Sequence, residues 1–174
     1  MHPLHSFQFC PVCGSECFVE NNFKSKKCDL CGFIYYFNSA AATAVFITNR
    51  VGELLVVRRA KEPAKGSFDL PGGFVDLYET AEEAIRREVK EETALQISTP
   101  EYLFSLPNIY LYSGFDVHTV DLFYQFSIDS FSGLEAGDDA ESLLILGRNE
   151  IRPDAFGLTS IRRGVEIWLK YKYK

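Results

Sequence analysis

The stretch Thr80–Leu95 constrains this chain more than any other, because it reads as a helix with three charges on the wrong side. Thr80 and Glu83 stand in the spacing of a capping box, in which hydroxyl and carboxylate satisfy each other's backbone N–H groups. At about 100° per residue, Ala81, Ala84, Ile85 and Leu95 gather into the stripe that must pack on the rest of the protein. Glu82, Arg86, Arg87 and Lys90 point away from it, as solvated charges should. Glu88, Glu91 and Glu92 instead fall within an arc of about 100° mingled with the apolar stripe. Carboxylates at i, i+3 and i+4 repel one another, and partial burial raises the cost of each. A hard divalent cation resolves the conflict, since it favours carboxylate oxygens and keeps positions for water and phosphate. The competing reading is a plain charged surface helix.

Gly73, five residues, Glu79, seven residues and then Arg87-Glu88-Val89-Lys90-Glu91-Glu92-Thr93-Ala94-Leu95 resembles the Nudix box, GX5EX7REUXEEXGU with U aliphatic. Ala94 is the single departure, standing where the family usually has Gly. It restricts the backbone at the helix end and touches none of the carboxylates. The box covers residues 73–95, and a family-like strand pattern runs over residues 40–174. The resemblance implies a Nudix fold, an α/β/α sandwich around a mixed sheet, and a hydrolase of phosphorus-containing anhydrides dependent on Mg2+ or Mn2+. With no targeting signal visible in the sequence, a cytoplasmic location is the default expectation. Glu88, Glu91 and Glu92 match the family's metal-binding carboxylates, often joined by the carbonyl of Gly73. Glu79 and Arg87 match an ion pair that holds the loop against the helix. A further acidic residue outside the box commonly completes the site. Asp139 aligns best as that ligand or general base, with Asp138 and Glu141 as rivals, and a merely solvated acidic loop as the alternative.

The flanking pattern agrees with such a domain. Ala41–Thr48 and Glu53–Arg58 read as strands around an Asn49–Gly52 turn, and Ser67–Val75 contains the turn Pro71-Gly72-Gly73. Tyr102–Leu106, Val117–Ile128 and Leu143–Leu146 read as strands. Leu158–Tyr171 reads as a closing helix with Ile161, Val165, Trp168 and Leu169 at helical spacing.

Ahead of this domain, Cys10-Pro-Val-Cys13-Gly14 and Cys28-Asp-Leu-Cys31-Gly32 supply two pairs of sulfurs on tight turns. The pattern resembles a zinc ribbon, with Cys10, Cys13, Cys28 and Cys31 closing a structural Zn2+ site. Two disulfides or a redox CxxC are the alternatives, disfavoured by a reducing compartment and by the absence of a thioredoxin-like context. The expected division is a ribbon over residues 1–37 and the catalytic domain over residues 38–174. Cys17 is left over as a free thiol.

A net charge of -6 over 174 residues argues against nucleic acid as the main partner, although a bound cation allows small anionic substrates. The longest apolar run, Ala40–Ile47, is far too short to cross a membrane. The expected substrate is a nucleoside diphosphate derivative of the NADH, ADP-ribose or dinucleotide type. A nucleoside triphosphate pyrophosphatase, or a module that binds nucleotides without cleaving them, are the alternatives. A ribbon ahead of such a domain resembles the NADH pyrophosphatases, but their SQPW-type motif is here Ser105-Leu-Pro107-Asn108. Tyr110 and Tyr112 are expected to face the substrate, core packing being the alternative for both. Arg58 or its neighbour Arg59 is placed to meet phosphate, a surface ion pair being the alternative. A homodimer is compatible with the sequence and not specified by it.

Overall fold

The computed structural model describes residues 2–137 and 140–172, which divide after Ser39 into two compact units. In the first unit, β1 (Phe18–Asn22), β2 (Ser25–Cys28) and β3 (Ile34–Tyr36) form a small antiparallel sheet in that order. Among its described residues the buried apolar cluster is Cys10, Phe18 and Cys28, with Phe33 against them, and Leu4 is buried as well. That is too little apolar surface to hold a unit of this size by itself.

The second unit is built on β4 (Ala40–Thr48), β5 (Leu54–Arg59), β6 (Phe68–Asp69), β7 (Glu101–Tyr112), β8 (Phe115–Ser127) and β9 (Ala140–Leu146). The sheet runs β6-β5-β4-β8-β7, with β9 on β5. It is mixed: β4 and β8 are parallel along their length, and the remaining pairs are antiparallel. Side chains alternate across a strand, so each strand feeds two cores. Ala44 and Phe46 of β4 and Leu54 and Val56 of β5 pack with Ile161, Val165 and Trp168 of α2 (Thr159–Lys172). Their neighbours Val45, Ile47 and Leu55 pack with Ile85 and Val89 of α1 (Ala81–Thr93). The result is the expected α/β/α sandwich.

The largest difference from the sequence reading is β7, which continues past Leu106 to Tyr112 and turns through Ser113-Gly114 into β8. Both turn residues have positive φ, 50° and 74°, the conformation of a two-residue hairpin loop matched to strand twist. The sequence reading ends this strand at Leu106, just before Pro107 and Asn108. Pro107 is tolerated because β7 is an edge strand, where a missing N–H breaks little of the ladder. This extension carries Asn108, Tyr110 and Tyr112 to the wall of a cavity.

Candidate active site and metal centre

The loop before α1 and the helix itself present the carboxylates. Thr80 caps α1 through a complete capping box with Glu83. Between β6 and the helix, the chain lies along the free half of β4, with Val45 N–H donating to Pro71 O, Thr43 N–H to Gly73 O and Val75 N–H to Ala41 O. Gly72 is required by close approach to backbone, and Gly73 lies hard against the Glu88 carboxylate. A Cβ on Gly72 would lie 2.2 Å from Thr43 O, and one on Gly73 would lie 2.5 Å from Glu88 Oε1. The backbone of the loop is thereby brought directly against the Glu88 carboxylate.

Arg87 organises the acidic face. Its Nε and Nη2 donate to the two oxygens of Glu79 at 2.9 and 2.8 Å. Nη2 also reaches Phe74 O at 3.1 Å, and Nη1 reaches Glu88 Oε1 at 2.7 Å. The guanidinium holds the Glu79 carboxyl below its ordinary range. Burial pushes the Glu88 carboxyl up, with Arg87 opposing the shift. Glu92 accepts from Gly72 N–H at 3.0 Å. Glu91 is more exposed, its side chain 60% accessible, with Arg87 Nη1 at 3.4 Å. The three carboxylates share one side of the helix without meeting at a point, Glu88 and Glu91 both facing Arg87 Nη1 and Glu92 held by Gly72 N–H. Gly73 O accepts from both Thr43 N–H, at 2.8 Å, and Thr43 Oγ1, at 3.3 Å. As a donor set, carboxylate oxygens around a close-packed glycine loop fit a hard divalent ion.

Glu88 and Glu92 border a cavity of about 550 Å3, within the range of small-molecule sites. The structure places Arg59 rather than Arg58 on its wall. Successive side chains of β5 point to opposite faces, and Arg58 turns back to donate to Gly66 O at 2.8 Å and to cover the Phe68 ring. Arg59 is fixed from three sides, by Pro63 O at 2.8 Å, Asp69 Oδ2 at 2.5 Å and Tyr110 Oη at 3.1 Å. Burial pushes the Asp69 carboxyl up, and Arg59 opposes it. Tyr110 meets Phe74 edge to face at 5.7 Å, and both Tyr110 and Tyr112 line the cavity. Asp69, Phe74, Asn108, Thr119 and Asp121 also line it and went unmarked in the sequence. Only β-strand register, which the one-dimensional pattern does not give, places them there. Asp138 and Asp139 lie outside the described residues. Glu141 is exposed on β9 and does not line the cavity.

The NUDIX domain family matches residues 38–156. The chain belongs to the Nudix family. An ADP-ribose pyrophosphatase of Methanocaldococcus jannaschii is 35% identical to this Nudix chain over 144 residues, 82% of each protein. The NAD-capped RNA hydrolase NudC of Chromobacterium violaceum is 32% identical over 102 residues, 59% of this chain and only 38% of that protein. Among solved structures, a NUDIX hydrolase of Nitrosomonas europaea superposes with a TM-score of 0.74 at 20% identity, covering 95% of this chain and 92% of its own.

In the amino-terminal unit, two near-identical turns bring the cysteines together. Gly14 N–H donates to Cys10 O and Gly32 N–H to Cys28 O, both at 2.9 Å, with φ of 73° and 77° at the glycines. The four sulfurs lie within 4.8 Å of one another. Cys10 and Cys31 are 3.7 Å apart and Cys13 and Cys28 3.6 Å. A tetrahedron with metal–sulfur bonds of about 2.3 Å has edges of about 3.8 Å, whereas a disulfide is about 2.05 Å. No disulfide joins any two of the five cysteines in the structure, and the sulfur spacing is that of a metal tetrahedron. Among the described residues no helix is long and apolar enough to cross a membrane.

Proposed function

We propose that this Nudix pyrophosphohydrolase cleaves the diphosphate of a nucleoside diphosphate joined to a second moiety, with ADP-ribose the leading candidate. The observation that carries the proposal is the cavity itself. The box carboxylates Glu88 and Glu92 form one wall, and Arg59, Tyr110 and Phe74 form another, in a space of about 550 Å3. The length-matched similarity to an ADP-ribose pyrophosphatase supports the same substrate class.

Glu88, Glu91 and Glu92 would hold Mg2+ or Mn2+, which when bound neutralises charge on the diphosphate oxygens and lowers the pKa of the attacking water. The chain's own residues set the geometry. Arg87 and Glu79 fasten the loop to the helix, Gly72 N–H aims Glu92, and the glycine pair lets the loop pack against Thr43 and the Glu88 carboxylate. Tyr110 and Phe74 offer faces and edges for a base. Asp139 is proposed as the additional acid. In the amino-terminal unit, Cys10, Cys13, Cys28 and Cys31 hold a structural zinc.

The test is turnover of ADP-ribose, NADH, dinucleoside polyphosphates and nucleoside triphosphates with Mg2+, products being separated by chromatography. ADP-ribose is expected to yield AMP and ribose 5-phosphate, with a loss of about a hundredfold or more in Glu92→Gln. Preferential turnover of NADH or of a triphosphate would replace the substrate assignment. Inactivity on the whole panel by folded protein would overturn the enzymatic reading.

A further inference from the structure

One buried acidic group of the cavity has no part in the chemistry above. Asp121 on β8 is only 5% exposed, yet it lines the cavity. One of its oxygens accepts from Thr119 Oγ1 at 2.5 Å, and the other accepts from Ser160 Oγ at the start of α2. Thr119 and Ser160 are themselves buried. Both donors are neutral, so among the described residues no ion pair compensates the charge. This differs from Asp69, the other buried carboxylate of the same cavity, whose partner is Arg59.

A buried charge held only by hydroxyls is costly unless something else completes its hydrogen bonding. Each carboxylate oxygen still has a lone pair after accepting one bond, and the space next to it is the cavity. Asp121 is paired in register with Ala42 of β4. Ala42 and Ala44 leave room above the sheet at this point, and Leu158 and Ile161 give it an apolar side. A flat group with a hydrogen-bond donor on its edge suits these surroundings. A group presenting only acceptors would leave the carboxylate facing a second lone pair.

We infer that Asp121 is a specificity residue that reads the exocyclic amino group of the substrate's nucleobase, Thr119 and Ser160 fixing its orientation. The inference rests on the nucleotide-hydrolase reading above, and it predicts preference for amino-bearing bases. A purely structural role, in which Asp121 only ties the first turn of α2 to the sheet, predicts loss of stability without loss of base preference.

Equilibrium binding to the full-length protein with Mg2+ separates the two. The ligands are AMP, purine riboside 5′-monophosphate, which lacks the amino group, and 2′-deoxy-AMP. Wild type is expected to bind AMP about tenfold more tightly than the purine riboside compound. In Asp121→Leu, which keeps the bulk of the side chain and removes both acceptor oxygens, the preference falls to near parity. Ser160→Ala, which removes the tie to α2 but keeps the carboxylate, retains the preference. Absence of preference in wild type overturns the proposal, as does equal weakening of both ligands in Asp121→Leu. A preference that follows the 2′-hydroxyl instead overturns it by assigning Asp121 to the sugar. Turnover of ADP-ribose by the same preparations reports separately on the hydrolase reading, so that reading can fail while base preference at Asp121 is still measured.

Discussion

Arg87 clasps both carboxylate oxygens of Glu79, through Nε at 2.9 Å and Nη2 at 2.8 Å, across the whole box loop. The guanidinium fork matches a carboxylate in a way an ammonium cannot. Arg87→Lys is therefore expected to destabilise the fold by about 1–2 kcal/mol and to lower kcat at saturating Mg2+. Parallel melting curves and kinetics measure the two effects, and unchanged values for both would remove the role.

The same pair makes an acid-sensitive contribution. Because Arg87 holds the Glu79 carboxyl below its ordinary value in the folded protein, the stabilisation is complete above the unfolded value of about 4.3. It is lost as pH falls through the folded value. The Tm difference between wild type and Arg87→Met should be constant near neutrality and should shrink as pH drops below about 4. A difference that persists unchanged into acid would attribute the stabilisation to packing of the arginine stem instead.

Ala94 ends α1 in the left-handed conformation, φ 60° and ψ 0°, with its N–H donating to Lys90 O. A side chain there costs about 1 kcal/mol relative to glycine. Ala94→Gly should raise Tm by about 2–4 °C and leave KM and kcat unchanged. A fall in Tm would mean that the greater freedom of glycine in the unfolded chain outweighs the relieved strain.

Gly137 lies on the last turn of the carboxylate helix. Its N–H donates to Glu92 O at 3.0 Å, Glu135 N–H donates to Thr93 O at 3.2 Å, and a Cβ at 137 would lie 2.0 Å from Glu91 O. The loop thus satisfies carbonyls that the helix end leaves unpaired. Gly137→Ala must push loop and helix apart, at about 1–3 kcal/mol, with kcat falling more than KM rises. Wild-type stability in this variant would show that the close contact is absent in solution.

For the amino-terminal unit, one zinc per chain is expected by metal analysis of purified protein. Chelation should raise the number of titratable thiols and open residues 1–39 to protease, because the metal replaces the core this unit lacks. Cys28→Ser should do the same without chelator. Metal-free protein that resists protease equally well would refute the assignment.

The sequence by itself determined the chemistry that depends on local spacing. Thr80 and Glu83 cap one helix turn, Glu88, Glu91 and Glu92 share one helix side, and each CxxC closes on its own glycine, all within a few residues of chain. Periodicity of 3.6 or a tight turn then defines neighbourhood without a tertiary fold. Only the tertiary structure decided which side chains from different strands meet. Arg59 rather than Arg58 reaches the cavity because successive side chains of β5 point to opposite faces and only the assembled sheet shows which face the cavity occupies. Tyr110 arrives there because β7 runs on through Pro107 to a hairpin at an exposed edge. Asp121 enters the cavity wall because β8 lies beside a stretch of β4 that carries alanines. Strand register is set by long-range pairing, and a shift of one residue sends a side chain to the opposite face. The walls of the cavity therefore become legible only once the sheet is assembled.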